Sequence, residues 1–107
     1  MTKHLTTHVL DASTGAPAAG VAVALATAAG EVVDSGTTDA DGRLALGPDV
    51  LDPGEYELAF DTGAYFAARG VPAFYPRVGI AFTVADAPHY HVPLLLSPFA
   101  YSTYRGS

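Results

Sequence analysis

The sequence predicts an all-β protein, an antiparallel β-sandwich of about eight short strands with one short helix. Short segments of alternating apolar and polar residues recur at roughly 8–12-residue intervals. Turn signals rich in Gly, Pro and Asp separate these segments, and only one stretch has the alanine content and capping residues of a helix. The length of 107 residues is typical of one domain, so we expect residues 1–107 to form a single domain.

The first half of the chain contains four predicted strands. Residues 5–11 alternate without a cleanly polar face, which predicts a strand that is covered on both sides. Residues 21–27 form a second strand, apolar on one face and mostly alanine on the other. Shorter strands are predicted at residues 31–35 and 43–46, and an Asp-Gly turn delivers Arg43 to the start of the latter.

The second half contains the helix and the remaining strands. Residues 55–60 and 78–84 alternate clearly and are predicted strands, and residues 63–69 are the helix, with Asp-Thr before it and Gly after it. The last nineteen residues, 89–107, are interpreted as a buried strand, a Ser-Pro turn and a second short strand. Pro93 has no amide hydrogen, so it should lie where the sheet needs no donor, or at a bulge.

The first strand of this final pair has an unusual outward face. If the core-facing residues are Tyr90, Val92, Leu94 and Leu96, the opposite face carries His89, His91 and Pro93. Two imidazoles on one face are not typical of a solvated strand. The next strand places Ser102 and Tyr104 together on one face. We therefore look for the functional site on this surface.

Composition and charge exclude several classes of function. The formal net charge of −6, with only five Lys and Arg residues, argues against nucleic-acid binding. The absence of Cys excludes disulfides, a thiolate nucleophile and Cys-ligated zinc. No apolar stretch is long enough to span a membrane. The first residues lack the apolar core of a secretory signal and the chain does not end in Ser-Lys-Leu, so we expect a cytoplasmic protein.

Three histidines, His8, His89 and His91, fall on outward strand faces. An imidazole with an ordinary pKa near ~6.5 is well suited to take a proton from water. For any one of them, a surface or satisfied core histidine remains the alternative. The three could also bind zinc, but Asp11 and Asp86 are the only nearby acids in sequence, so we predict no metal. The fourth histidine, His4, is expected to tolerate substitution by Asn with nearly unchanged turnover.

Arg43 is the other candidate, because a guanidinium can form two hydrogen bonds with a planar polar ligand or with developing negative charge. The alternative is a surface pair with Asp39 or Asp41. The Asp-x-Asp-Gly turn before Arg43 resembles part of a calcium loop, but it lacks the later ligands and is interpreted as a turn. The spacing of Ser102 and Ser107 gives no evidence of a Ser-His-Asp triad.

Several motifs resemble the 5-hydroxyisourate hydrolase family, the transthyretin-related proteins of urate breakdown. They are Leu-Thr-Thr-His-Val-Leu-Asp-Ala at residues 5–12, Asp-Gly-Arg43, Phe-Tyr-Pro76, His-Tyr-His-Val-Pro-Leu-Leu-Leu-Ser-Pro at residues 89–98 and the terminal Tyr-Ser-Thr-Tyr-Arg-Gly-Ser107. The resemblance spans nearly the whole chain, although residues 18–38 match only in pattern. Transthyretin itself, a hormone carrier, lacks the His-Tyr-His-Val-Pro and Tyr-Arg-Gly-Ser motifs.

The resemblance implies a transthyretin-like fold and assigns roles to matching residues. His8, Arg43 and His91 would be catalytic, and Tyr104 and Ser107 would bind substrate. Neither a cofactor nor a metal is implied. The resemblance also implies a homotetramer, a dimer of dimers, in which the face carrying His8 and His91 lines a channel between the dimers.

The implied activity is hydrolysis of the ring amide of 5-hydroxyisourate to 2-oxo-4-hydroxy-4-carboxy-5-ureidoimidazoline, by a water molecule that a histidine activates. One alternative is a transthyretin-like carrier that binds a small hydrophobic ligand in the same channel. A carrier channel would favour apolar or small polar side chains at the positions of His8, His91 and Tyr104. The other alternative, a regulatory interaction module, would leave the C-terminal motif unexplained.

Overall fold

The computed structural model describes residues 3–107 and contains two β-sheets, one short helix and a shared apolar core. In chain order the elements are β1 (Leu5–Asp11), β2 (Ala16–Pro17), β3 (Ala22–Thr27), β4 (Val32–Thr37), β5 (Arg43–Leu46), β6 (Gly54–Phe60), α1 (Thr62–Ala68), β7 (Val78–Val84), β8 (Tyr90–Leu96) and β9 (Tyr101–Thr103). The predicted fold class, an all-β sandwich with one short helix, is confirmed.

The first sheet has the order β2-β1-β8-β9, and β5 also pairs with β1. β1 runs parallel to β8, whereas the other pairs in this sheet are antiparallel. A parallel pair needs a long connection, and the chain between β1 and β8 provides it because it includes the entire second sheet. Periodicity predicts strands but not their partners, so the sequence did not indicate this parallel pair.

The second sheet has the order β4-β3-β6-β7 and is antiparallel throughout. Its inner face contributes alternate residues of β3, β6 and β7 to the core, while the opposite face of β3 carries small alanines. The helix α1 follows β6 directly. Its N-cap is Asp61, whose carboxylate accepts a hydrogen bond from the amide of Ala64 at 3.3 Å.

The observed elements agree closely with those predicted. The strand at residues 78–84 and the strand at residues 43–46 have the predicted bounds. The helix begins one residue earlier and ends one residue earlier than predicted. The two-residue strand β2, Ala16–Pro17, was not predicted because a pair so short has no periodicity. Within residues 3–107, no helix is long and apolar enough to cross a membrane.

The core lies between the sheets and leaves the outer face of β1 and β8 half-covered. Leu5 and Val9 of β1 and Leu94 of β8 are fully buried. Pro93 is also buried, and its carbonyl accepts a hydrogen bond from the Thr103 hydroxyl at 2.7 Å. The nitrogen of Pro93, which carries no hydrogen, therefore faces β9. The hydrogen-bonded pairing of β8 with β9 covers only residues 94–96 of β8, so no donor is needed at Pro93. This satisfies the expectation for a proline inside a strand.

Candidate active site

The strand pairing of the first sheet gathers polar residues from three neighbouring strands on its outer face. His8 is directly opposite Arg43 in the β1–β5 pair, and Thr6 is directly opposite His91 in the β1–β8 pair. Residues opposite one another project from the same face, and neighbouring strands lie only ~4.8 Å apart. Three residues predicted to be catalytic, from distant parts of the chain, therefore lie on one small surface.

A cleft of about 350 Å³ opens on this surface. Its polar lining consists of Thr6, Thr7, Asp39, Arg43, His91 and Ser107. His8 is not part of the lining but lies beside Arg43, at the edge of the cleft. The structure thus brings together three of the five predicted site residues in one cavity, with a fourth adjacent.

Tyr104, the fifth predicted site residue, lies in a neighbouring groove of about 360 Å³ between β7 and β8. This groove is lined by Tyr104 and Arg105 of the C-terminal segment and by Phe82 of β7. His91 lines both the groove and the cleft, so its side chain separates Tyr104 from Arg43 and Ser107. Tyr104 is 59% exposed.

The C-terminal segment is held against His91 by its backbone. The amide of Gly106 donates to the carbonyl of His91 at 2.9 Å, and the guanidinium of Arg105 lies 5.2 Å from the centre of the Tyr90 ring. A β-carbon on Gly106 would lie 2.4 Å from Cδ2 of His91, so only glycine fits without displacement. These contacts bring Ser107 to the cleft.

Arg43 and His8 are positioned by the turn between β4 and β5. The carboxylate of Asp39 accepts hydrogen bonds from the amides of Asp41 at 2.9 Å and Arg43 at 3.0 Å. These bonds, the one from Arg43 first, hold the pKa of Asp39 below its usual value. Gly42 has a φ of 75°, and a β-carbon there would lie 2.4 Å from the carbonyl oxygen of Val9. Asp39 was the alternative surface partner of the Arg43 guanidinium. Its carboxylate instead accepts hydrogen bonds from backbone amides of the turn.

The turn also determines the tautomer of His8. Nε2 of His8 is 2.9 Å from the carbonyl oxygen of Asp41. A carbonyl can only accept, so Nε2 carries the hydrogen and donates. In the neutral ring Nδ1 is then the unprotonated nitrogen, which can accept a proton.

His91 is half-buried, and its Nδ1 atom contacts β1. Nδ1 of His91 is 2.8 Å from the hydroxyl oxygen of Thr6. Burial lowers the pKa of His91 below its ordinary value, the positive charges of Arg43, His89 and His8 lower it further, and a hydrogen bond with the backbone of Thr6 opposes the shift. His91 is therefore a neutral imidazole at neutral pH.

His4 is a structural residue. It is 6% exposed, and both ring nitrogens are used: Nε2 donates to the carbonyl of Ala87 at 2.7 Å, and Nδ1 accepts from the amide of Leu51 at 2.8 Å. The expectation that His4→Asn leaves turnover nearly unchanged stays a prediction, but the shorter side chain would leave buried polar groups unpaired and should lower stability.

Sequence reasoning missed two contributors to the surface. Thr6 lies on the face of β1 that carries His8, and its hydroxyl contacts both His89 and His91. Period-2 alternation did place Thr6 on that face, but only the β1–β8 register brings it to the histidines. Asp39 was considered as a partner of Arg43 and as part of the turn, but not as a residue that lines the cleft. Among residues 3–107, no three His, Asp or Glu side chains are grouped so as to hold a metal ion.

The fold and this surface define a class of protein: a transthyretin-like sandwich whose outer sheet face carries imidazole and guanidinium groups. The model of the HIUase/Transthyretin family matches residues 5–106. The chain therefore belongs to the HIUase/Transthyretin family.

Relatives within the family include proteins named 5-hydroxyisourate hydrolase and proteins named transthyretin. A 5-hydroxyisourate hydrolase of Mesorhizobium japonicum is 49% identical over 96% of this chain and 91% of that protein. The structure of Klebsiella pneumoniae 5-hydroxyisourate hydrolase has a TM-score of 0.90 and 43% identity, and covers 96% of this chain and 98% of that one. Transthyretin from Sparus aurata has a TM-score of 0.88 and 33% identity, with 96% of each chain covered. The backbone is thus common to the hydrolase structure and the transthyretin structure.

Proposed function

We propose that this protein is a 5-hydroxyisourate hydrolase, which opens the ring amide of 5-hydroxyisourate to give 2-oxo-4-hydroxy-4-carboxy-5-ureidoimidazoline. The observation that carries the proposal is the convergence of His8, Arg43 and His91 on the outer face of the first sheet. Curated relatives named 5-hydroxyisourate hydrolase, matched over nearly the whole chain, support the same activity.

Two ring nitrogens are available to activate water. Nδ1 of His8 is unprotonated because Nε2 donates to Asp41. Nε2 of His91 has no hydrogen-bond partner within residues 3–107. Every side-chain nitrogen or oxygen that is fully buried in residues 3–107 does have a hydrogen-bond partner. Nε2 of His91 is therefore not fully buried and is accessible. One of the two histidines takes the proton of the water that attacks the ring carbonyl. The lowered pKa of His91 keeps this ring neutral and able to do so.

Arg43 and the C-terminal residues bind the substrate. The guanidinium of Arg43 lines the cleft, where it holds the planar heterocycle and neutralises negative charge on the carbonyl oxygen as the ring opens. Ser107, through its hydroxyl or its carboxylate, binds the substrate from the same cleft. Tyr104 shapes the site from the adjoining groove, on the other side of His91. The mechanism requires neither a metal nor a cofactor.

The carrier function is the alternative, because the fold is equally close to that of Sparus aurata transthyretin. A channel for a hydrophobic ligand needs an apolar lining. The cleft here is lined by an imidazole, a guanidinium, a carboxylate and three hydroxyl-bearing residues, with two apolar residues beside them, which favours a polar substrate and chemistry.

A direct assay of substrate decay tests the hydrolase function. The absorbance of freshly generated 5-hydroxyisourate should fall faster with the protein than without it, and a chelator should not change the rate. His8→Asn and His91→Asn should each lower turnover by ~10²–10⁴, the usual contribution of a positioned base. Arg77→Gln, an exposed arginine beside the second sheet, should keep full activity. Unchanged decay with the wild-type protein, or full activity of His91→Asn, would refute the assignment.

We also infer a homotetramer, a dimer of dimers, with the outer face of the first sheet covered by another copy. Leu10 and Leu95 are paired on that face beside the histidines, and Phe99 in the β8–β9 turn is 66% exposed. Apolar residues in these positions are expected in an interface.

The assembly is tested by light scattering on a size-exclusion column. The expected mass is about 44 kDa, four times the 11.0 kDa of the chain. Leu95→Lys should shift the protein to smaller species, whereas Ala81→Lys, exposed on the second sheet, should not. A wild-type mass of one chain would contradict the tetramer.

We further propose that residues 1–107 are one domain and that the protein acts in the cytoplasm. The family match over residues 5–106 supports the first proposal. The polar substrate, which has to be supplied by a preceding metabolic reaction, supports the second.

A further inference from the structure

Thr6 links two histidines through a single hydroxyl group. Its Oγ1 atom is 2.8 Å from Nδ1 of His91 and 3.0 Å from Nε2 of His89. The two imidazoles stand side by side on the outer face, with ring centres 6.4 Å apart and planes inclined by 17°. All three side chains are half-buried.

A hydroxyl group has one hydrogen, so Thr6 can donate to only one of these two nitrogens. If it donates to His89, Nδ1 of His91 must carry its own hydrogen and donate to Thr6. If it donates to His91, Nε2 of His91 carries the hydrogen in the neutral ring. The state of His89 and the tautomer of His91 are therefore coupled through Thr6.

This coupling distinguishes His91 from the other site histidine. The tautomer of His8 is determined by a backbone carbonyl, which can only accept. Within residues 3–107, Thr6 is the only residue whose side chain hydrogen-bonds with the ring of His91, and its hydroxyl both donates and accepts. Something other than this contact has to select the tautomer.

The charge of Arg43 favours one of the two states. Arg43 and His91 line the same cleft, and Nε2 is the accessible nitrogen of His91. A positive guanidinium nearby favours a lone pair over an N–H group on this accessible nitrogen. The same charge disfavours a second cation at His91.

We propose that Thr6 and His89 are positioning residues that select the tautomer of His91. The Thr6 hydroxyl donates to Nε2 of His89 and accepts from Nδ1 of His91, so Nε2 of His91 keeps its lone pair in the cleft. When Nε2 takes a proton, the hydrogen bond from Nδ1 to Thr6 is already in place and no group has to reorient. In the opposite tautomer, the only lone pair of His91 would be occupied by Thr6. The catalytic consequence rests on the proposed hydrolase function, whereas the tautomer does not.

The test reads the ring nitrogens of His91 directly by ¹⁵N NMR of the histidine-labelled protein at neutral pH, with the signals assigned by their loss in His91→Asn. Wild-type His91 should be protonated at Nδ1 and unprotonated at Nε2. Thr6→Val removes the hydroxyl at nearly constant shape, and His89→Phe removes the acceptor while retaining a ring. Each should introduce the Nε2–H form and lower kcat about 2–10-fold, the effect of one ordinary hydrogen bond, with little change in KM.

Thr6→Ser is the matched control, because it keeps the hydroxyl and should keep both the wild-type tautomer and the wild-type kcat. The proposal is overturned if wild-type His91 carries its hydrogen on Nε2, if neither Thr6→Val nor His89→Phe changes the ring signals, or if Thr6→Ser behaves like Thr6→Val. Failure of the wild-type protein to hydrolyse 5-hydroxyisourate would instead refute the proposed function, while the NMR result would still decide the tautomer.

Discussion

The histidines of this protein differ in what their ring nitrogens contact, and those contacts decide what each ring can do. His4 has both nitrogens bound within the structure and is therefore structural. His8 has one nitrogen bound to a backbone carbonyl, which leaves Nδ1 as an acceptor. His91 and His89 share a hydroxyl group, so their states depend on each other. The composition does not distinguish the four histidines. Their roles differ because their ring nitrogens contact different groups.

A prediction at this scale concerns Gly106. A β-carbon there would meet Cδ2 of His91 at 2.4 Å, and the ring cannot move away freely because Nδ1 is bound to Thr6. Gly106→Ala should therefore displace the C-terminal segment or the ring, and lower kcat by at least about tenfold, as misplaced catalytic groups do.

The measurement is steady-state hydrolysis with a parallel urea denaturation. Gly79→Ala is the matched control, because a β-carbon on Gly79 would meet only the exposed Glu57 carboxyl group, at 3.3 Å. Gly106→Ala should leave the free energy of unfolding nearly unchanged, since the segment is exposed. Wild-type kcat in Gly106→Ala would show that the contact does not matter.

At the scale of elements, β1 is the strand on which the site depends. It pairs with β2, β5 and β8, so it sets the position of Arg43 on one side and of His91 on the other. Its last residue, Asp11, is buried and accepts hydrogen bonds from Ser13 and from the hydroxyl of Tyr65 in α1, the latter at 2.8 Å. The short helix thereby anchors the end of the strand.

The pKa values of this pair show how the anchor works. Burial alone would raise the pKa of Asp11, but the hydrogen bonds from Ser13 and Tyr65 outweigh it and hold the pKa below its usual value. Burial, followed by the bond to Asp11, raises the pKa of Tyr65 to about 12. Asp11 is thus a carboxylate and Tyr65 a neutral donor across the physiological range.

Removal of this hydrogen bond should destabilise the fold. Tyr65→Phe leaves the buried carboxylate with one donor fewer, and bonds to charged groups contribute about 1.5–3 kcal/mol. We expect a decrease of this size in the free energy of unfolding, measured by urea denaturation at neutral pH. Tyr101→Phe, at an exposed tyrosine whose hydroxyl has no partner within residues 3–107, should stay within about 0.5 kcal/mol of wild type. Equal stability of the two variants would contradict the anchoring role.

At the scale of the whole molecule, the lowered pKa values all make the fold sensitive to acid. The pKa of His91 is lowered, so the unfolded chain binds a proton there more readily than the folded protein does. The pKa values of Asp11, Asp34 and Asp39 are lowered as well, so unfolding again takes up protons as the pH falls. Stability rises with pH wherever the unfolded state binds more protons.

Stability should therefore fall in two stages on acidification. The first begins near pH ~6.5, where unfolded histidine titrates, and the second near pH ~3.9, where unfolded aspartate titrates and stability is lost progressively below that value. Urea midpoints measured from about pH 8 to about pH 3 check this course. His91→Asn should weaken the first stage and leave the second. A midpoint that is constant down to pH ~4 would contradict the shift at His91.

The prediction of fold from sequence succeeded where the signal was local. Period-2 alternation placed β7 and β5 at their observed bounds, and the Asp-Thr start and Gly stop located α1 within one residue at each end. The same alternation put His8 and His91 on the outward faces of their strands. These predictions hold because the direction of a strand side chain depends on neighbours in sequence.

What the sequence determined by itself is the type of each element, the face of each side chain and, through its motifs, the family to which it belongs. Only the tertiary structure decided that β1 runs parallel to β8, that Thr6 lies between His89 and His91, and that Tyr104 and Arg43 are on opposite sides of His91. The physical reason is that pairing partners and register arise from contacts between residues far apart in sequence, more than eighty positions for β1 with β8 and for Thr6 with the two histidines. Such contacts are specified by the packing of the whole core and not by any local pattern.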